Sequence, residues 1–593
     1  LESMREYDII ALNKYFTENP HFLTNHHLKS YNDFFNNGLS QLFMERNPIH
    51  FLKERAPITT DDETKHVGYE TSLGESIPIT YNEMKNIYPH KSDTELDIIW
   101  NSSNQKGPIK TNTRDDYMYE CKLYMGGRKG DKLYFGKPII YEKDGENHFM
   151  YPNEARLRNM TYAFTLHVDI EAVYKIYTKR KDGSGKYDLN QHSVLLEKIY
   201  IGKFPIMLQS SQCILYNLSP EVRFNMGECK NDPGGYFIID GKEKVIVCQE
   251  KFADNIVYVQ ANTNDIYSYS AKIRSVSENA SKPIRTLSVR MVEEQSTSFN
   301  GQIVVAIPNV RKPVPLFIVM RALGVISDKE IIEYCLLDIE KYDTMVELFR
   351  SSVHDAGEIF TQQAALKYIS SFTKGGGGGA NTYRALEILT LYFLPHIGER
   401  NFKQKALFLG YMTNKLLKVS TKVEKPTNRD SYLYKRLMVS GKLIYELFLE
   451  YYALQQRDIR LTMDREHFKM KDTKKYKGLN FLNLINNNQN KIFGNRIVEE
   501  GFRRAFKGDW GSEAHTKRLG ALQDLNRLSF FSAICQLRKT NVPLPGDAAK
   551  IVGPRLLNST QWGLLCPIHS PDGGNVGLHK HLALMTHITS GCS

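Results

Sequence analysis

A chain of 593 residues with 41% hydrophobic content is too long for one core and carries enough apolar material for about three or four globular domains. Its net charge of +12 and isoelectric point near 9.0 favour an anionic partner, nucleic acid or an acidic protein face, without choosing between them. No window offers the apolar run needed to cross a bilayer and no secretory leader is seen, so a membrane partner is not expected.

Residues 1 to about 113 are polar and Asn-rich, and NNGLSQLF and FLKERAPI suggest short helices feeding a strand region. Phe164, Leu166, Val168 and Ile170 then alternate with Thr165, His167 and Asp169, which predicts a strand with one buried and one wet face. KDGSGK, Lys181 to Lys186, reads as a hairpin turn; it lacks the earlier Gly and the following Ser or Thr of a phosphate-binding loop. Tyr236 to Glu250 is a compact hairpin signal with Asp240-Gly241 at its turn. Short strands continue from about Phe252 to Val310, and helical patterns follow. The pentaglycine Gly375 to Gly379 reads as a flexible joint. Leu386, Leu389 and Phe393 keep helical spacing until Pro395 breaks it, and Ile444, Leu447, Phe448 and Tyr451 share one helix face that predicts a packed core.

Between Arg457 and Lys477 lies a dense positive run, by default a solvated helix face and alternatively a nucleic-acid backbone contact. From Gly501 to Ser593, bases outnumber acids about two to one and alternate with Pro and Gly breakers. Such spacing makes ordered loops in which Arg forks and backbone N–H groups can face a ligand. Eight scattered cysteines form no C-x-x-C pair, so no structural zinc is expected. Free thiols at this spacing suit a reducing, intracellular setting. Cys566-x-x-His569 with His579 and His581 fits no common ligand spacing, so no metal is assigned there. The chain starts at Leu1 and stops just after an apolar segment, which reads as part of a longer polypeptide.

The order of blocks in the last stretch settles what composition leaves open. RLGALQDLNRLSFFSAICQLRKTNVP, then PRLLNSTQWGLLCP, then SPDGGNVGL, then LALM, resembles the fork region of the second-largest subunit of multisubunit DNA-directed RNA polymerases. Upstream, YPNEARLRNMTYA, FPIMLQSSQCIL and DPGGYFIIDGKEKV also resemble that family's blocks, as do FLPHIGE, KALFLGYMTNKLL and NRDSYLYKR. The resemblance implies an α+β multidomain fold: protrusion over 1–251 and 428–500, an inserted lobe over 252–427, and fork over 501–593.

It also implies DNA-templated RNA synthesis, with this piece forming one side of the active-centre cleft. Two-metal nucleotidyl transfer needs clustered carboxylates; no D-x-D-G-D cluster occurs here. In the family that cluster and its Mg²⁺ sit on the largest subunit, so no catalytic residue is assigned and this segment alone is expected to be inactive. Expected partners are the largest and smaller polymerase subunits, template DNA, nascent RNA and nucleoside triphosphates. The fork loops would lie near Lys507 to Thr516 and Val542 to Pro554. Arg538, Lys539 and Arg555 fall where the family faces nucleic acid, and Lys507, Lys517, Arg518 and Lys550 join them as candidate contacts. A salt bridge from loop to core is the plain alternative for each.

Cellular members read C-P-x-E-T-P-E-G where this chain has His569 and Asp572, so these two become active-centre-proximal candidates with altered charge. With NRDSY and the Asn-, Lys- and Tyr-rich composition, they resemble polymerases of large cytoplasmic DNA viruses, which would place the protein in the virion and host cytoplasm rather than the nucleus. A stand-alone nucleic-acid-binding protein or an interaction scaffold without polymerase activity is the rival reading.

Overall fold

The computed structural model describes residues 2–58, 67–70, 76–79, 114–179, 187–264, 266–279, 282–293, 300–373, 382–471, 478–514, 516–544 and 550–589. The chain is a mixed α+β, multidomain protein that divides into two compact units. One comprises Leu1–Gln249, Leu437–Lys550 and Gly563–Ser593; the other comprises Glu250–Arg436 and Ile551–Trp562.

In the first unit, helix α1 (Asn25–Asp33) precedes an antiparallel sheet built from β1 (Ile49–Ile58), β2 (Arg114–Met125), β3 (Leu133–Gly136), β4 (Ala163–Lys179) and β5 (Tyr187–Pro205). The order is β1-β2-β4-β3, with β5 also paired to β4. The expected alternation holds on β4, where Phe164, Leu166, Val168 and Ile170 are buried. Asp169 corrects the wet-face expectation. It is buried too, accepting hydrogen bonds from the Tyr134 hydroxyl at 3.0 Å and the Lys198 amide at 2.9 Å, which meet its lone pairs inside the fold. FLKERAPI is a strand rather than a helix, because β1 pairs with β2 from Ile49↔Leu123 to Ile58↔Arg114 and buries Phe51. NNGLSQLF is helical as expected.

The hairpin of β6 (Phe237–Ile239) and β7 (Lys242–Ile246) turns at Asp240 and Gly241, both at positive φ (48° and 77°), the geometry of a tight right-twisted hairpin. Strand β8 (Cys248–Phe252) follows. KDGSGK and the pentaglycine lie outside the described residues.

The second unit is built on an antiparallel meander, β9 (Val257–Asn264), β10 (Tyr267–Ser275), β11 (Arg285–Val292), β12 (Ile303–Ala306) and β13 (Val314–Pro315), paired in chain order. Helix α2 (Phe402–Ser420) packs against β9, β10 and β11. The break expected at Pro395 is present: Leu394 takes a left-handed φ of 46° and a short 3₁₀ turn follows. Lys405, fully buried on α2, donates to the Leu389 and Thr390 carbonyls at 2.7 and 2.9 Å. Burial pushes its ammonium down to about 8.

The chain then returns to the first unit through the long helix α3 (Ser440–Lys471), with Ile444, Leu447, Phe448 and Tyr451 buried as the periodicity predicts. Next come α4 (Ile497–Ala505), β14 (Leu522–Asp524), α5 (Phe530–Leu537), β15 (Lys539–Asn541) and β16 (His579–His581). The core is aromatic: Phe35 meets Phe164 edge-on at 5.1 Å, and Phe204 meets Phe502 at 4.8 Å. Residues 501–550 and 563–593 fall in the first unit and 551–562 in the second.

Candidate nucleic-acid interface

The basic residues of the last stretch separate by what already holds them. Arg538 is only 5% exposed, and its guanidinium donates to the carbonyls of Leu23 (3.0 Å), Ala583 (2.6 Å) and Leu584 (3.2 Å). No carboxylate pairs with it among the described residues, and burial lowers its pKa. This geometry corrects the picture of Arg538 as a surface contact: its fork is committed to the chain's own backbone. It stitches the turn before α1 to the segment after β16.

The loop after α4 is pinned on α3. Arg518 pairs with Glu446 at 2.8 Å, while Glu450 accepts from the Ser512 amide at 3.0 Å, the Ser512 hydroxyl and the Thr516 hydroxyl at 2.6 Å. Lys517 pairs with Asp509 at 2.9 Å and Lys507 with Asp240 at 2.8 Å. The Lys507 hydrogen bond holds the Asp240 carboxyl below its usual range. Lys507 and Lys517 remain half-exposed and Lys550 is exposed, whereas Arg555, on the short turn Gly553–Arg555 of the second unit, is partly covered. Asp572 directly precedes the exposed turn Gly573–Asn575, with no capping hydrogen bond from its side chain.

One network joins three of the blocks that carry the resemblance. Arg527 grips Glu243 with two bonds of 2.7 and 3.0 Å, and Arg156 reaches the same carboxylate at 2.9 Å. Arg156 also pairs with Glu228 at 2.8 Å and donates to the Tyr236 hydroxyl at 2.7 Å; that hydroxyl donates in turn to Asp232. Burial alone would raise Glu243, yet the two arginines hold it below the ordinary value. EARLRN, DPGGYF and LNRLS are thus electrostatically tied, and single-sequence spacing gives no signal for such a pairing.

Among the described residues, His, Cys, Asp or Glu donors converge in two places. His26, His27 and Cys248 are one. There both imidazole Nε2 atoms meet the Leu537 carbonyl, at 3.2 and 2.7 Å, so both donate, and the Ser440 hydroxyl faces His27 Nδ1 at 3.2 Å. Burial takes His27 down to about 4, and Arg538 adds repulsion. Glu142, His148 and Glu154 are the other, but both carboxylates already hold Arg158, at 2.6 and 2.9 Å. Mg²⁺ takes oxygen ligands in octahedral geometry; neither donor set fits it. Among the described residues seven cysteines are free thiols.

The stack at the end of the chain is also new. His569 and His581 lie face to face, centroids 3.5 Å apart and planes 7° from parallel, and His581 Nδ1 donates to the His569 carbonyl at 3.2 Å.

The family model described as "RNA polymerase beta subunit" matches residues 104–486, and that described as "RNA polymerase Rpb2, domain 3" matches residues 523–588. The chain therefore belongs to the RNA polymerase beta subunit family. It is 35% identical over 523 residues to DNA-directed RNA polymerase II subunit 2 of Arabidopsis thaliana, covering 86% of this chain and 41% of that one. It is 36% identical over 473 residues to subunit RPB2 of RNA polymerase II from Encephalitozoon cuniculi, covering 78% and 38%. Subunit Rpo2N of the Methanothermobacter thermautotrophicus polymerase is 29% identical over 486 residues, covering 78% of this chain and 85% of that relative. The chain thus spans about two-fifths of the length of the two eukaryotic relatives. Among the described residues no helix is long and apolar enough to cross a membrane.

Proposed function

We propose that this chain serves DNA-templated RNA synthesis as part of the second subunit of a DNA-directed RNA polymerase and lines one side of the active-centre cleft. The observation that carries the reading is the ordered pair of family matches spanning residues 104–486 and 523–588. In this reading the first unit carries protrusion and most of the fork, and the second carries the lobe. The catalytic Mg²⁺ belongs in this reading to the largest subunit.

Lys507, Lys517, Arg518, Lys550 and Arg555 are the residues offered to template or RNA phosphates, with Asp572 and His569 nearer the reacting centre. Arg538 acts as a positioning residue that fixes the strand carrying Lys539. His569, Asp572 and the Asn-rich composition support a large cytoplasmic DNA virus as the source, with transcription in virion and host cytoplasm.

Affinity purification of the tagged chain from its native source tests the proposal. A co-purifying largest subunit bearing an aspartate cluster, with template-dependent incorporation of nucleotides by the complex, is the expected result. Recovery of the chain without any such partner would overturn it.

A further inference from the structure

The second unit carries a group of cations on the outer face of its meander. Tyr258 of β9 stands opposite Lys272 of β10, which stands opposite Ser288 of β11; two residues away, Gln260 stands opposite Ser270 and Ser270 opposite Arg290. Cross-strand partners share a face, and so do alternate residues of one strand. The intervening Val259, Ala271, Ile273, Leu287 and Val289 are buried on the core side, where α2 packs. Gln260, Ser270, Lys272, Ser288 and Arg290 therefore share the opposite side.

Three cations meet there. Lys272 and Arg290 are diagonal neighbours on adjacent strands, within reach of each other's long side chains. Arg429 comes in beside them: its guanidinium lies 4.4 Å from the Phe252 ring centre and 5.8 Å from that of Tyr258, the residue opposite Lys272. Arg274, two residues along β10, is paired with Asp254 at 3.4 Å, whereas Lys272, Arg290 and Arg429 make no ion pair among the described residues. Lys272 reaches the Gln260 amide oxygen at 3.5 Å, and Arg290 Nε donates to Ser288 Oγ at 3.2 Å. Between Gln260 and Arg290, Ser270 Oγ is buried without a hydrogen-bond partner among the described residues. Burial lowers the Lys272 pKa, and the charges of Arg290 and Arg429 lower it further.

We propose that this face docks an acidic segment of a protein partner, with an Asp or Glu carboxylate seated between Lys272 and Arg290. Like charges gathered without an acid repel one another, and a carboxylate placed among them is attracted by all three. Arg290, its Nε turned to Ser288, offers the outer amino groups of its planar fork, a geometry matched to a carboxylate. Lys272 adds a point charge and Ser270 a hydroxyl donor at the floor. Arg429 carries the positive field toward the edge strand β9, where a second acidic side chain of the segment would lie. A nucleic-acid strand suits this face poorly. Bases stack on open aromatic rings, but cations already cover these: Arg290 lies 5.1 Å from the Tyr267 ring centre, and Lys435 lies 4.3 Å from that of Phe252, which Arg429 also covers. A phosphate backbone needs a continued run of cations; along β10 it would meet Asp254, which holds Arg274 and also Lys251 at 2.9 Å.

The test uses the full 593-residue chain and a labelled peptide alternating Glu and Gly, read by fluorescence anisotropy, with the Gln-for-Glu peptide as reference. The Glu peptide is expected to bind and the Gln peptide to fail. Lys272→Gln and Arg290→Gln should each weaken binding about tenfold, the scale of one charge-assisted hydrogen bond. Arg290→Lys, which keeps the charge and loses the fork, should stay weakened. Lys329→Gln, an exposed position on the helix Asp328–Leu336 that packs against α2, should bind as the parent does. Relief of repulsion should hold or raise the thermal midpoint of Lys272→Gln, which separates lost binding from lost folding. Peptide affinity unchanged in both Gln variants overturns the site, and so does a lowered midpoint in Lys272→Gln, which would make that lysine structural. A labelled single-stranded RNA that loses affinity in Lys272→Gln while the peptide does not would assign the face to nucleic acid and overturn it as well. Each of these results leaves the polymerase reading standing, because co-purification decides that separately.

Discussion

Arg538 and Lys539 are neighbours with opposite fates, because the first ends α5 and the second opens β15. Alternation sends Lys539 to the open face of the β15–β16 ribbon, while the Arg538 side chain, at the end of α5, turns inward onto three carbonyls. Removing a buried charged donor leaves those carbonyls unsatisfied, so Arg538→Ala should cost about 2–4 kcal/mol of stability. A lowered thermal midpoint with an unchanged salt slope of RNA binding is the expected pattern; a changed slope without loss of stability would return Arg538 to the interface. The sequence made both residues visible as bases and could not separate them, because burial depends on Leu23 and Ala583, distant in the chain. Glu243 gives a pH prediction. Its carboxyl is held below the ordinary value of 4.5 by Arg527 and Arg156, so it contributes stability above that value and loses it as pH falls through the depressed one. Thermal midpoints taken from about pH 7 to about pH 3.5 should fall less steeply in Glu243→Gln than in the parent.

At the scale of elements, local chemistry was readable where it needed no distant partner. The Asp240-Gly241 turn, the β4 alternation, the Pro395 break and the α3 core face all follow from spacing and special φ angles. FLKERAPI is a strand although its charges suit an exposed helix as well, and only its pairing with the distant β2 decides. Close helix approaches were equally hidden. Gly441, in the first turn of α3, lies against α1, and a Cβ there would overlap the Ser30 carbonyl; Gly501 on α4 lies under the Tyr451 ring, with 2.5 Å left for a Cβ. Backbone cannot yield as a side chain can, so Gly441→Ala should destabilise by about 2–3 kcal/mol and Gly501→Ala by less. Equal tolerance of both in thermal unfolding would show that α3 can shift. The same α1 docking is pH-sensitive. His27 is held at about 4 in the folded state against 6.5 unfolded, so stability is present above 6.5 and is lost progressively toward 4. That shift corresponds to about 3 kcal/mol. His27→Asn should flatten the pH profile of the thermal midpoint across that window.

For the whole molecule, the net charge of +12 states a preference for polyanions and nothing about sequence. The structure shows how that charge is spent. Arg527 stitches the fold, Arg538 is interior, and Lys507, Lys517 and the partly covered Arg518 have carboxylate partners they can leave at little cost. Lys550 is exposed and unpaired among the described residues. Contacts of this kind reach phosphates and carry no base information. Single strands of different composition should therefore bind the chain within about threefold of one another. If four such cations engage a single strand, log affinity should fall against log salt with a slope near −3, or about fiftyfold between 50 and 200 mM. Substituting Lys550 by Gln should remove one unit of that count, whereas Arg527→Gln should leave it unchanged and instead loosen the Glu243 network. A chain that discriminated strongly between sequences, or held RNA equally well in high salt, would need a base-reading pocket in place of a basic lining.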